Sequence, residues 1–227
     1  MTAPRAHHHP GLFDDHRWAV GAAVGLYLAA AALMILVAVA IDSVQPIDDA
    51  WRDAMVAIEV GPVTFLAKIF NAVGSTWFTL PIRVVLAGYL WSKRRMEQLT
   101  VWVVAWVVSD ILVSLLKALY DRSRPLESLV STSSSSFPSG HAIAGAVTAV
   151  ALVIVFLPAG AHRRIWEVAA GSFAFVMALS RTYLRAHWLS DVVAGVLIGT
   201  ATAIGVAAIV HLWWLRRRAP IAELANE

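Results

Sequence analysis

Apolar stretches without charge recur along the chain, and short polar segments divide them. Trp18 to Ile41 runs for 24 residues without a charged side chain. About 20 apolar residues cross a bilayer as a helix. Ser75 to Trp91, Leu99 to Leu116, Ser139 to Leu157, Ile165 to Leu179 and Asp191 to Leu215 supply five more runs. Between the first two, Asp42 to Gly74 mixes charged residues with Trp51, Phe65, Leu66, Ile69 and Phe70. That mixture suits a helix lying in the bilayer interface. The pattern predicts an all-α, polytopic membrane protein with six transmembrane helices in one bundle. A short interfacial helix, or more than one, joins the first and second spans. The expected divisions are a cytoplasmic tail over 1–17, a six-span domain over 18–215 and a second tail over 216–227.

Composition strengthens this picture. The 227 residues are 59% hydrophobic and 15% charged, with a mean hydropathy of +0.69. An ordinary soluble domain is excluded at that apolarity. A pI near 9.6 would suit nucleic acid, but the basic residues gather between apolar runs, where they orient a membrane protein. No nucleic-acid partner is therefore expected. The chain has no cysteine, so neither a disulfide framework nor a thiolate metal site can form. His7-His8-His9 reads as part of a loose tail rather than a metal site.

Six spans place both termini on one side. Arg5, Arg17, Lys93-Arg94-Arg95, Arg163-Arg164 and Arg216-Arg217-Arg218 all fall on that side, which makes it cytoplasmic. The opposite side also carries basic residues: Lys117, Arg122, Arg124, Arg181 and Arg185. These run against the orientation rule, and anion binding would account for them.

Three outward-facing segments hold the candidate chemistry. Pro138-Ser139-Gly140-His141 opens an apolar run. Proline suits a first helical turn, and the free N–H groups there favour an anion. Lys117 precedes Arg124-Pro125 by six intervening residues, and Arg181 precedes His187 and Asp191. Residues four apart share a helix face. Asp191 can therefore hold one nitrogen of His187 and leave the other free to attack. Arg124 and Arg181 can grip phosphate oxygens in bidentate fashion, and Lys117 adds a point charge. With the N–H groups at Ser139 and Gly140 they would stabilise a pentacovalent transition state. His141 is placed to act as general acid.

Here the sequence resembles the type 2 phosphatidic acid phosphatases, or lipid phosphate phosphatases. Lys117 to Pro125 fits K-x6-R-P, Pro138 to His141 fits P-S-G-H, and Ser180 to Asp191 fits S-R-x5-H-x3-D. The resemblance implies a phosphohistidine on His187, with Asp191 as its partner and His141 as the acid. It implies phosphate binding by Lys117, Arg124, Ser139, Gly140 and Arg181, without metal or cofactor. Arg122 and Arg185 lie outside the shared pattern and are candidates for a second phosphate or a head group. Ser131 to Ser136 reads as a flexible linker, or as a gate over the pocket.

The expected protein is thus a lipid phosphatase of a bacterial plasma membrane, its site facing outward, its partners a lipid substrate and the bilayer. Phosphatidic acid, phosphatidylglycerol phosphate and a polyprenyl diphosphate such as undecaprenyl diphosphate all fit, because the motifs read only phosphate. A phosphatase of a soluble phosphoester, a vanadate-dependent peroxidase and an anion carrier are the competing readings. A monomer or weak homodimer is expected. Two details concern the bundle itself. Arg83 and Asp110 lie roughly 10–12 Å deep in adjacent spans, so a structural ion pair is expected between them. Gly21-x3-Gly25 and Gly195-x3-Gly199 permit close helix packing inside the bundle.

Overall fold

The computed structural model describes residues 12–13 and 15–224. The described residues form eight helices and no strand. They are α1 (His16–Val39), α2 (Ile41–Ala57), α3 (Gly61–Val73), α4 (Thr76–Ser92), α5 (Met96–Leu119), α6 (Gly140–Phe156), α7 (Ala161–Tyr183) and α8 (Leu189–Leu224). His7-His8-His9 lies outside the described residues.

Each predicted apolar run became a helix, with boundaries set by local chemistry. The Asp15 carboxylate accepts the Arg17 amide at 2.8 Å and starts α1 two residues early. Pro81 sits inside α4 without ending it. α8 continues past Leu215, through the basic residues read as the start of a tail. Hydropathy marks where a helix leaves lipid, not where its hydrogen bonding stops, and Arg is a good helix former. The mixed segment folded into two helices, α2 and α3. A bend of 49° separates α3 from α4. Among the described residues three helices, α1, α5 and α8, are long and apolar enough to cross a membrane, and the count reaches four when the bent α3–α4 pair is taken as one span. The 17 residues of α6 are apolar but short.

Alanines make up much of the interior, and many large apolar residues face outward. Ala19, Ala23, Ala30, Ala142, Ala146, Ala194, Ala201 and Ala207 are buried, beside a few large side chains such as Leu90, Trp102, Phe137 and Ile143, whereas Trp18, Trp77, Val85, Ile165 and Ile209 are exposed. Lipid supplies no hydrophobic drive between helices, so small residues that let backbones approach hold the bundle. α8 is central and packs most extensively on α6 and α1. A Cβ added at Gly199 would lie 2.5 Å from the Ile143 carbonyl oxygen, and one at Gly195 2.8 Å from Ala142 Cβ. The second glycine pair thus packs inside the bundle as expected. The first does not: a Cβ on Gly21 or Gly25 would meet nothing within 4 Å. The buried stripe of α1 runs through Ala19, Ala23 and Ala30, on another face of the helix.

Arg83 and Asp110 meet across α4 and α5, Nη1 to Oδ1, at 3.6 Å. Arg83 is buried, packs over the Trp106 ring and reaches Thr148, while Asp110 stays largely exposed. The pair joins neighbouring helices and has no hydrogen bond or ion pair to the polar cluster described next.

Candidate active site

Three polar segments converge at one end of the α6–α8 pair. Ser139 caps α6 by accepting the Ala142 amide on its hydroxyl at 3.4 Å. Pro138 therefore precedes the cap instead of occupying the first turn, and Gly140 and His141 are the first helical residues. Their N–H groups have no partner within the helix. The Ser139 amide donates to the Asp191 carbonyl at 3.1 Å. That bond ties the start of α6 to the first turn of α8.

His187 lies in the turn between α7 and α8 and is buried. Its Nδ1 is 3.3 Å from Asp191 Oδ2, and its Nε2 is 3.2 Å from Arg124 Nη1. A guanidinium can only donate. Nε2 thus faces it as an acceptor, and Nδ1 carries the proton toward Asp191. The network assigns the proton to Nδ1, so the lone pair is on Nε2, where an Arg124 N–H meets it. The Asp191 carboxylate also accepts the Trp188 amide at 2.9 Å, Arg122 Nη1 at 2.8 Å and the Ser136 hydroxyl.

Further basic groups lie around His187 Nε2. Arg124 donates to the carbonyls of Ser134, Ser135 and Ala186. Lys117 Nζ donates to the Ser135 carbonyl at 2.6 Å. Gly140 sits against the Lys117 stem, where a Cβ would be 3.9 Å from Cε. Arg181 donates to the Asn71 side chain, and His141 Nε2 lies 3.2 Å from the Asn71 carbonyl. The Arg181 Nε–H is buried and has no partner among the described residues. Burial pushes the His187 imidazole down to about 4. The hydrogen bond and charge of Asp191 oppose that shift, and the charges of Arg181 and Arg124 add to it. Burial likewise holds Arg124 below its ordinary value, against the charge of Asp191.

The structure therefore gathers Lys117, Arg124, Ser139, Gly140, His141, Arg181, His187 and Asp191 at one place. Arg122 and Arg185 are turned elsewhere. Arg122 sits behind Asp191, bonded to both Asp191 and Asp48. Arg185 pairs with Glu59 at 2.8 Å and donates to the Glu127 carbonyl. The serine-rich segment is not a free linker at its end nearest the site. Ser136 is fully buried on Asp191, and the Ser134 and Ser135 carbonyls hold Arg124 and Lys117. Sequence reasoning missed Gln45, Asp48 and Asn71. Asn71 carried a weak signal, as a lone amide late in the apolar α3; Asp48, among the other charges of α2, carried none.

An apolar cavity of about 230 Å³ adjoins the cluster. It begins at Gly74 and Met177, beside the His141 ring, and is lined by Phe78, Ile82, Gly145 and Phe173. A further groove of about 440 Å³ shares Ala149 and Leu152 with it and continues toward Leu157 and Trp166. Together they follow α6 along the side facing α4 and α7.

A helical membrane bundle with a buried His–Asp pair and converging cations at one end defines an enzyme acting on phosphate groups. The chain belongs to the PAP2 superfamily, whose profile matches residues 98–215, and is a phosphatase of that family. It is 28% identical over 172 residues to phosphatidylglycerophosphatase B of Bacillus subtilis (strain 168), covering 74% of this chain and 85% of that protein. Its fold matches the crystal structure of a transmembrane PAP2-type phosphatidylglycerolphosphate phosphatase from Bacillus subtilis. The TM-score is 0.73 at 27% identity, over 82% of this chain and 94% of that one. Aquifex aeolicus LpxE shares the fold with a TM-score of 0.56 at 21% identity, over 72% of this chain and 93% of that chain.

Proposed function

We propose that the protein removes the terminal phosphate from a membrane lipid through a phosphohistidine on His187. The observation that carries this reading is the His187 geometry: an unprotonated Nε2 that faces Arg124, with Arg181 also acting on the ring, Lys117 sharing the Ser135 carbonyl with Arg124, and Nδ1 held by Asp191. Nε2 attacks phosphorus and the bond to the leaving oxygen breaks. His141 gives that oxygen its proton, and the lipid alcohol or lipid monophosphate departs. Water then attacks the phosphohistidine, His141 takes its proton, and inorganic phosphate leaves. Arg124, Lys117 and Arg181, with the N–H groups at the start of α6, neutralise the charge that builds on the phosphoryl oxygens. Phosphate oxygens replace the backbone carbonyls that these cations now contact.

The apolar cavity beside His141 supports a lipid substrate over a soluble phosphoester, because it offers an alkyl chain a dry path leading from the site. Phosphatidylglycerol phosphate is the first substrate to test, since similar proteins act on it. The proposed topology has six spans in a bacterial plasma membrane, both termini cytoplasmic and the site outside. The basic Lys93-Arg94-Arg95 turn supports that orientation, since it shares one cavity with Leu12, Pro158 and Trp214, at the end of α6 away from Ser139.

Purified protein is assayed for phosphate release from phosphatidylglycerol phosphate, phosphatidic acid, undecaprenyl diphosphate and a soluble phosphomonoester. Release from a lipid, lost by at least about 10³-fold in His187→Ala, is the expected result. Release by His187→Ala at the wild-type rate, or no release from any lipid, refutes the proposal.

A further inference from the structure

Asp48 belongs to none of the three motifs, yet it is among the most deeply buried charges in the protein, 1% exposed. Arg122 bridges it to the site. Nη2 donates to Asp48 Oδ2 at 2.7 Å and Nη1 to Asp191 Oδ1 at 2.8 Å. Ser190 closes the ring, with its amide on Asp48 Oδ1 at 2.9 Å and its hydroxyl on Oδ2 at 2.6 Å. Gln45 accepts from Nη2 at 2.9 Å, and the guanidinium lies over the Trp188 ring. One buried cation is thus shared between two buried carboxylates, and only one of these touches His187.

That sharing has an electrostatic consequence. His187 is faced by Arg181 from α7, Arg124 from the α5–α6 loop and His141 from α6, while Asp191 is the carboxylate in contact with it. As phosphohistidine forms, the imidazole becomes cationic, and Asp191 must stabilise it against these neighbours. If Arg122 were paired with Asp191 alone, the two charges would largely cancel in a low-dielectric site. Asp48 takes half of the Arg122 contact, so the three groups together keep one net negative charge. We propose that Asp48 is a positioning residue that keeps the charge of Asp191 available to His187. The inference rests on the reading that His187 is the nucleophile.

The test uses the full chain in detergent with the lipid phosphate hydrolysed fastest in the panel above. Asp48→Asn removes the charge and keeps the shape. It is expected to lower kcat about tenfold or more while KM and inhibition by inorganic phosphate stay within about twofold. Inhibition by vanadate, whose vanadium accepts the Nε2 lone pair, should weaken about tenfold with kcat, since both read the nucleophile. The double variant Asp48→Asn with Arg122→Gln removes the competing cation as well, and its kcat should rise above that of Asp48→Asn. A purely structural role predicts the opposite, with the double variant no better than the single one and with kcat and thermal stability falling together while KM rises. Wild-type kcat in Asp48→Asn also overturns the inference. If Asp48→Asn does not fold, the double variant decides alone: kcat within about tenfold of wild type supports the inference, and any deeper loss overturns it. His187→Ala run in parallel separates the two readings, because its full activity would remove the nucleophile assignment whatever Asp48 does.

Discussion

Replacing Gly195 by alanine is expected to slow the enzyme by moving the two walls of the site apart. Gly195 lies one turn after Asp191 on α8, and its missing side chain faces the start of α6. A Cβ there would stand 2.9 Å from the Ser139 carbonyl oxygen and 2.8 Å from Ala142 Cβ. Ordinary contact begins near 3.4 Å, so α6 must retreat by about half an ångström. Overpacking of this kind costs about 1–3 kcal/mol, and the gain from replacing a helical glycine returns only about 0.5–1 kcal/mol. The change therefore ranges from near neutral to about 2.5 kcal/mol destabilising. Activity should suffer more, because Ser139 and His141 move with α6 while His187 and Asp191 stay with α8. A misplacement of 1 Å can cost about 100-fold, so half that distance suggests about tenfold in kcat. Gly171→Ala, where a Cβ meets nothing within 4 Å, is the control and should leave kcat unchanged. The assay is phosphate release alongside thermal unfolding in one detergent. Wild-type kcat in Gly195→Ala would refute the idea that α6 and α8 form one rigid frame for the site.

Two further outcomes follow from buried charge. Because burial holds folded His187 near 4 rather than its ordinary 6.5, the unfolded chain takes up a proton between those values that the folded one refuses. Stability is then fully present above about pH 6.5 and falls as pH drops toward about 4, so Tm should decline over that window more steeply in wild type than in His187→Ala. Asp110→Asn leaves the buried Arg83 guanidinium without its carboxylate. Since Asp110 is largely exposed, about 1 kcal/mol of stability is at stake, with Tm falling by a few degrees and kcat unchanged.

The motif residues were legible because their geometry is local. His187 and Asp191 share a face by spacing alone, and Ser139 caps α6 because a hydroxyl before an apolar run does so. What closes the site is not local. Asp48 reaches Ser190 and Arg122 across 142 and 74 residues of sequence, and Asn71 reaches Arg181 and His141 across 110 and 70. No periodicity links such partners; only the fold of α2 and α3 onto the end of the bundle does. The same limit applies to the glycines. Gly21-x3-Gly25 and Gly195-x3-Gly199 have the same spacing, yet only the second faces a neighbouring helix. Which face of an apolar helix is buried depends on its neighbours, and in a lipid-facing bundle the polarity contrast that would mark the buried side is missing.

The placement of the polar cluster follows from the cost of burying it. Lys117, Arg122, Arg124, Arg181, Asp48, Asp191 and His187 could not be held in hydrocarbon unless each found partners, since unsatisfied charge there costs several kcal/mol. The alanine-packed middle of the bundle offers few, as at Arg83, which finds one carboxylate and one hydroxyl. At its end, loop carbonyls become available: Ser134, Ser135 and Ala186 for Arg124, and Ser135 for Lys117. The helices between the first two long apolar runs complete the set, with Gln45 and Asp48 from α2 and Asn71 from α3. α2 and α3 are therefore part of the site and not a connector. The tight α6–α8 contact sets the distance between its walls, and these two helices supply the groups that let the cations remain there. A substitution at Asn71 should accordingly disturb Arg181 and His141 together, although neither lies near it in sequence.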